Sequence, residues 1–137
     1  MRNDGTPVRL ADYRPTPYAI DTVALDVDFA PGETRVTARL KLSRRDGTPA
    51  HAPLVLDGTA LTLVGAMLDG APLAASAYTA TPEAFELLAP PAGPFELTLV
   101  TRLEPEANTA LMGLYRSNGT WCTQCEAEGF RRITYFL

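Results

Sequence analysis

From Arg35 to Leu42 apolar and polar residues alternate without interruption: Val36, Ala38, Leu40 and Leu42 fall on one side, Arg35, Thr37, Arg39 and Lys41 on the other. A side-chain period of two belongs to a β-strand and is incompatible with a helix, whose faces repeat about every 3.6 residues. The pattern recurs between Tyr18 and Phe29, where Val23, Leu25, Val27 and Phe29 alternate with Ala24, Asp26 and Asp28. It returns after residue 94, where Phe95, Leu97, Leu99, Thr101 and Leu103 alternate with Glu96, Thr98, Val100 and Arg102. These are half-buried strands. Ala30-Pro31-Gly32-Glu33 reads as the turn of a hairpin joining the first two, with Asp26 and Asp28 expected to face Arg39 and Lys41 across it.

The remaining segments are shorter and set off by turn chemistry. Residues 1–17 lack periodicity and end in Pro15-Thr16-Pro17, which predicts an extended N-terminal arm ahead of a β-rich domain over 18–137. Arg44 to Ala52 is a loop that carries His51, the single histidine. Leu54–Leu56 and Leu61–Leu68 read as strands, with Asp57-Gly58 and Asp69-Gly70 as turns. Tyr78–Leu88 is open between a short helix starting at Thr81-Pro82-Glu83 and a turn. Ala89-Pro90-Pro91-Ala92-Gly93-Pro94 breaks any element, and Glu104-Pro105 closes the strand after it. Leu114–Ser117 and Trp121–Cys125 flank Asn118-Gly119, a short hairpin signal, and Ile133–Phe136 reads as one more strand. Many short strands with turns between them predict an all-β fold, a twisted sheet or β-sandwich.

Composition narrows the function. The 137 residues fit one domain, and 46% hydrophobic with 20% charged residues is ordinary globular composition. A net charge of −4 offers no basic footprint for nucleic acid. No apolar run approaches the roughly 20 residues that span a bilayer. Met1-Arg2-Asn3-Asp4-Gly5 does not open a signal peptide, and two cysteines do not make a secreted disulfide framework, so a cytoplasmic location is expected. H-E-x-x-H, G-x-x-x-x-G-K-[ST] and G-x-S-x-G are all absent, and one histidine without a second imidazole is no metal site. No catalytic or metal-ligating residue is therefore assigned within the chain, which alone is expected to be inactive.

What chemistry there is gathers in Thr120–Leu137. Cys122-Thr123-Gln124-Cys125 has C-x-x-C spacing but neither a second ligand pair nor a βαβ setting, so buried structural thiols are expected. Gln124 and Glu126 are i and i+2; on an extended segment both project to one face, where a carboxylate and an amide oxygen suit an ammonium group. The same pair also fits a solvated strand face. Glu128 is expected to bridge to Arg131 or Arg132, and Gly129 to supply a positive-φ bend. Arg131 and Arg132 should pair with carboxylates, here or on another domain. Tyr115, Trp121 and Phe130 are expected in the core or at an interface. Asn118-Gly119-Thr120 matches a glycosylation acceptor but reads as hairpin chemistry.

Asn108-Thr109-Ala110-Leu111, Gly113-Leu114-Tyr115 and the block Cys122–Leu137 resemble the N-terminal domain of the bacterial aminopeptidase N family, zinc exopeptidases of the gluzincin class. The resemblance runs from about Tyr13 to Leu137. It implies that Gln124 and Glu126 bind the free α-amino group of a peptide substrate. It also implies that the domain packs on a catalytic domain absent from this chain, and that zinc sits there on two histidines and a glutamate. In the family an Asp-Arg-Pro-Asp stretch follows this point, so the domain is expected to be truncated at its C-terminal end. Two other readings stand beside this one: a bifunctional epoxide hydrolase/aminopeptidase relative, and a stand-alone non-catalytic β-sandwich interaction module.

Overall fold

The computed structural model describes residues 9–30 and 32–137, so residues 1–8 of the expected arm and Pro31 of the expected turn lie outside the described residues. Residues 9–17 are exposed, with one 3-10 turn at Leu10–Asp12. Pro17 is tied down, its carbonyl accepting from Arg45 N–H at 2.9 Å and from the Thr48 hydroxyl at 2.9 Å.

The fold is all-β. A five-stranded antiparallel sheet has the order β1 (Tyr18–Asp28), β2 (Thr34–Arg44), β8 (Phe95–Leu103), β4 (Thr62–Leu68), β5 (Ala71–Pro72). A three-stranded sheet has the order β3 (Leu54–Asp57), β7 (Ala84–Leu87), β6 (Tyr78–Ala80), and β9 (Gly113–Ser117) with β10 (Thr120–Gln124) makes a separate hairpin. The core lies between the two larger sheets. Val36, Ala38, Leu40 and Leu42 of β2 and Leu97 and Leu99 of β8 are fully buried, as are Leu54 and Leu56 of β3 and Phe85 of β7. Each Leu, Val or Phe so removed from water contributes about 1.5–3 kcal/mol before the entropy of ordering the chain is counted.

β2 follows the alternation read from the sequence; in β8 Phe95, Leu97, Leu99, Thr101 and Leu103 are buried as expected, but Thr98 on the other face is buried as well. β1 follows the alternation in register, with Val23 opposite Leu40, Leu25 opposite Ala38 and Val27 opposite Val36. As an edge strand, however, it leaves Val23 42% and Leu25 40% exposed. The expected charge pairing across the hairpin is corrected. Pairing closes at Asp28–Arg35, which sets Asp26 against Thr37 and leaves Arg39 and Lys41 facing Ala24 and Thr22. Arg35 instead bridges Glu33 at 2.8 Å.

Tyr78–Leu88 resolves into the hairpin β6–β7. The Thr81 hydroxyl oxygen accepts from Glu83 N–H (3.2 Å) and Ala84 N–H (3.1 Å), which satisfies the turn's donors and makes a helix start unnecessary. The strand expected at Ile133–Phe136 is also corrected. Gly129–Arg132 forms a 3-10 turn, and only Phe136 pairs, in a single bridge to Asp57. Packing, rather than a ladder, holds this segment. Ile133 and Tyr135 are buried, the Ile133 carbonyl accepts from the Thr101 hydroxyl at 3.1 Å, and the Tyr135 hydroxyl donates to the Thr81 carbonyl at 2.7 Å. Among the described residues no helix is long and apolar enough to cross a membrane.

Burial, and secondarily the Glu83 carboxylate, raise the Tyr135 phenol above its ordinary 10.0. Tyr135→Phe deletes one hydrogen bond and should cost about 1 kcal/mol, lowering Tm by about 2–6 °C. Because the folded pKa is raised, the phenol's contribution is complete below pH 10.0 and declines above it, where the unfolded chain ionises first. Thermal melts at increasing pH should therefore show wild type losing stability faster than Tyr135→Phe above this point. Parallel curves would contradict the assignment.

Candidate functional site

The hairpin β9–β10 positions the candidate residues. Asn118 (φ 49°) and Gly119 (φ 82°) form its tight turn, the geometry that an Asn-Gly pair adopts most readily. The ladder runs from Thr120 opposite Ser117 to its last pair, Gln124 opposite Gly113. Beyond Gln124 the chain leaves the strand, turns over residues 125–128 and enters the 3-10 turn at Gly129, whose N–H donates to the Cys125 carbonyl at 2.8 Å.

This corrects the basis on which Gln124 and Glu126 were paired. They do not share the face of one extended strand, because Glu126 lies in the turn. They are joined by another device, a hydrogen bond from Gln124 Nε2 to the Glu126 carbonyl at 2.9 Å. A carbonyl can only accept, so the amide NH2 must face it and Gln124 Oε1 is left as an acceptor. Both residues are exposed, and no cation among the described residues pairs with the Glu126 carboxylate.

The positive-φ residue of the turn is Glu128 (φ 66°), not Gly129 as expected. Gly129 serves close approach: a Cβ there would run into the Gln124 carbonyl oxygen and lie 3.3 Å from the Gly113 nitrogen. Arg131 pairs as expected, reaching Glu128 at 3.6 Å and Asp57 at 3.2 Å. Its carbonyl also accepts from Thr59 N–H at 3.0 Å. Arg132 has no such ion pair among the described residues. It lines a cavity of about 450 Å³ with Thr59, Thr62, Arg102, Glu104 and Asn108, to which neither Gln124 nor Glu126 contributes.

The thiols depart from expectation. Cys122 is half-buried and Cys125 exposed, and both are free. Trp121 is half-buried, its ring tilted 42° against that of Phe29 with centroids 4.8 Å apart, and the Arg116 guanidinium lies 5.1 Å from its ring centre. Phe130 packs edge-on to Phe136 at 4.7 Å, against the core, and Tyr115 is half-buried. His51 lies exposed in its loop. Among the described residues no group of three His, Cys, Asp or Glu side chains is placed to hold a metal ion. Sequence reasoning missed the structural part played by Gly113 and Gly129. The signal available was two glycines bracketing the polar block.

No protein-family model matches the chain. Aminopeptidase N of Caulobacter vibrioides is 51% identical over 138 residues, covering 99% of this chain and 16% of the relative, so the chain spans about one sixth of that protein's length. Among solved structures, aminopeptidase A of Legionella pneumophila, in complex with aspartic acid, superposes with a TM-score of 0.84 at 30% identity over 94% of this chain and 15% of its own. An M1 zinc metallopeptidase variant from Deinococcus radiodurans, bound to a Tyr-Ser-Ala substrate, shares the fold at a TM-score of 0.68 and 19% identity, over 88% of this chain and 29% of its own. With its all-β architecture matching the N-terminal β domain of M1 aminopeptidases, the chain belongs to the aminopeptidase N family.

Proposed function

We propose that this domain works within a longer zinc aminopeptidase and supplies Gln124 and Glu126 as the anchor for the substrate's α-ammonium group. The observation that carries the reading is the Glu126 carboxylate, unpaired among the described residues and tied to Gln124 by the 2.9 Å bond that leaves the Gln124 oxygen available. A peptide α-amine, with an ordinary pKa of about 8, is largely protonated at neutral pH and presents three N–H donors. The two carboxylate oxygens and the amide oxygen are a matching set of acceptors. Holding the amine fixes the chain end, so cleavage is counted from it and the enzyme is an exopeptidase.

Magnitude decides what else is needed. An ion pair in open water contributes about 0–1 kcal/mol, too little to select a substrate, whereas a desolvated charge-assisted hydrogen bond contributes about 1.5–3 kcal/mol. The exposed turn therefore needs a second surface over it, and in this reading the catalytic domain of the longer protein provides it. That the chain spans 16% of its Caulobacter relative is in keeping with such a domain. In this reading the zinc belongs there too. When bound, zinc supplies an activated water for peptide hydrolysis. What this chain contributes is binding and orientation of the amine. The enzyme works in the cytoplasm, where thiols such as those of Cys122 and Cys125 stay reduced.

Glu126→Gln in the full-length enzyme keeps the shape and removes the charge. Steady-state kinetics should show kcat/KM falling roughly 10- to 150-fold, the equivalent of one charge-assisted hydrogen bond. Kinetics indistinguishable from wild type would remove Glu126 from the role. Substrates with an acetylated N-terminus lack the ammonium donors and should be cleaved poorly by the wild-type enzyme. Efficient turnover of them would overturn amine recognition altogether.

A further inference from the structure

We infer that Gly129 is a positioning residue for Glu126, acting through a three-backbone junction with Gln124 and Gly113; the inference rests on the amine-anchor reading above. Gly129 is buried where the 3-10 turn begins, directly against the last rung of the β9–β10 ladder, Gln124 opposite Gly113. A Cβ on Gly129 would collide with the Gln124 carbonyl oxygen and lie 3.2 Å from its carbon and 3.3 Å from the Gly113 nitrogen. From the other side, a Cβ on Gly113 would lie 2.5 Å from Arg132 Cβ and 3.2 Å from the Gly129 carbonyl oxygen. Most of these neighbours are main-chain atoms, so a side chain at the junction cannot be accommodated by a change of rotamer.

Both ends of the intervening turn are fixed. Gln124 is held by the ladder, and the 3-10 turn is held by Arg131, through its ion pair to Asp57 and its carbonyl bond to Thr59. A displacement forced at Gly129 must therefore be taken up by residues 125–128, which include Glu126. The glycine contact thus sets how far the Glu126 carboxylate stands from Gln124 Oε1. Gly129 is not in the left-handed region, so alanine is compatible with its backbone conformation and tests the contact alone, whereas Gly113 (φ 74°) would add backbone strain.

The test is a double-mutant cycle in the full-length enzyme with L-alanine 4-nitroanilide as substrate, with Tm recorded for each variant. Gly129→Ala should lower kcat/KM about tenfold or more in the wild-type background but less than about twofold on top of Glu126→Gln, because the second change disturbs a contact already lost. Losses that multiply in the double variant, or a fully active Gly129→Ala, would overturn the positioning role while leaving Glu126 as the anchor. Wild-type kinetics in Glu126→Gln would instead remove Glu126 as the anchor, and this inference with it. If Gly129→Ala does not accumulate as folded protein, Gly113→Ala, which crowds the same junction from the hairpin, takes its place in the cycle. Failure of both to fold would overturn the proposal, since the glycines would then be holding the domain rather than the turn.

Discussion

Everything in this domain hangs on the pairing of β2 with β8. Leu42 lies opposite Phe95, Leu40 opposite Leu97, Ala38 opposite Leu99 and Val36 opposite Thr101, so one face of two adjacent strands is apolar except at Thr101, whose hydroxyl bonds to the Ile133 carbonyl. A slip of one residue would turn that surface to water, which is why the register is so firmly specified. The smaller sheet supplies the complementary layer through Leu54, Leu56, Phe85 and Leu87. Once these faces meet, the positions of β1 and β4 follow from hydrogen bonding to strands already in place.

The C-terminal segment converts this sandwich into a platform for the polar turn. Thr101 on β8 bonds to Ile133, Asp57 at the end of β3 exchanges backbone bonds with Phe136 (2.7 and 2.9 Å), and Tyr135 reaches Thr81 between β6 and β7. Three separate parts of the fold thus converge on a few residues just beyond the 3-10 turn. The turn carrying Glu126 is exposed, but the segment that follows it is among the most buried in the chain. An exposed carboxylate on a firmly seated segment is suited to recognition, because little freedom remains to be lost when a ligand arrives.

The fold was legible where period-two alternation was long, as in β2 and β8, and where a dipeptide names its own turn, as at Asn118-Gly119. It was not legible where tertiary contacts replace local ones. Ile133–Phe136 has the composition of a strand, yet its apolar side chains plug the core and only Phe136 finds a partner strand. The register of the first hairpin depends on where pairing closes, which composition does not reveal. Of the site, the residue types Gln124 and Glu126 were visible, but their relation was misplaced, since strand geometry was extended through a segment that turns. The link between them is a side-chain bond to a backbone carbonyl, which leaves no periodic trace. Gly129 was noticed for the wrong freedom: it contributes the absence of a side chain, while Glu128 takes the unusual backbone angle.

The two edges of the large sheet carry a further consequence, for how the molecule avoids joining itself. An unpaired strand edge is a template on which another chain can continue the sheet. At one edge β5 is only two residues long and ends in Pro72, which has no N–H to offer. At the other, β1 is eleven residues long, but its ladder is irregular between Ile20 and Thr22, and Asp21, Asp26 and Asp28 stand exposed along it. Two copies meeting along β1 would bring these acids together and misalign their ladders at the irregularity. Sheet growth from one molecule to the next is thereby opposed at both ends, even though Val23 and Leu25 lie partly open to water beside the longer edge.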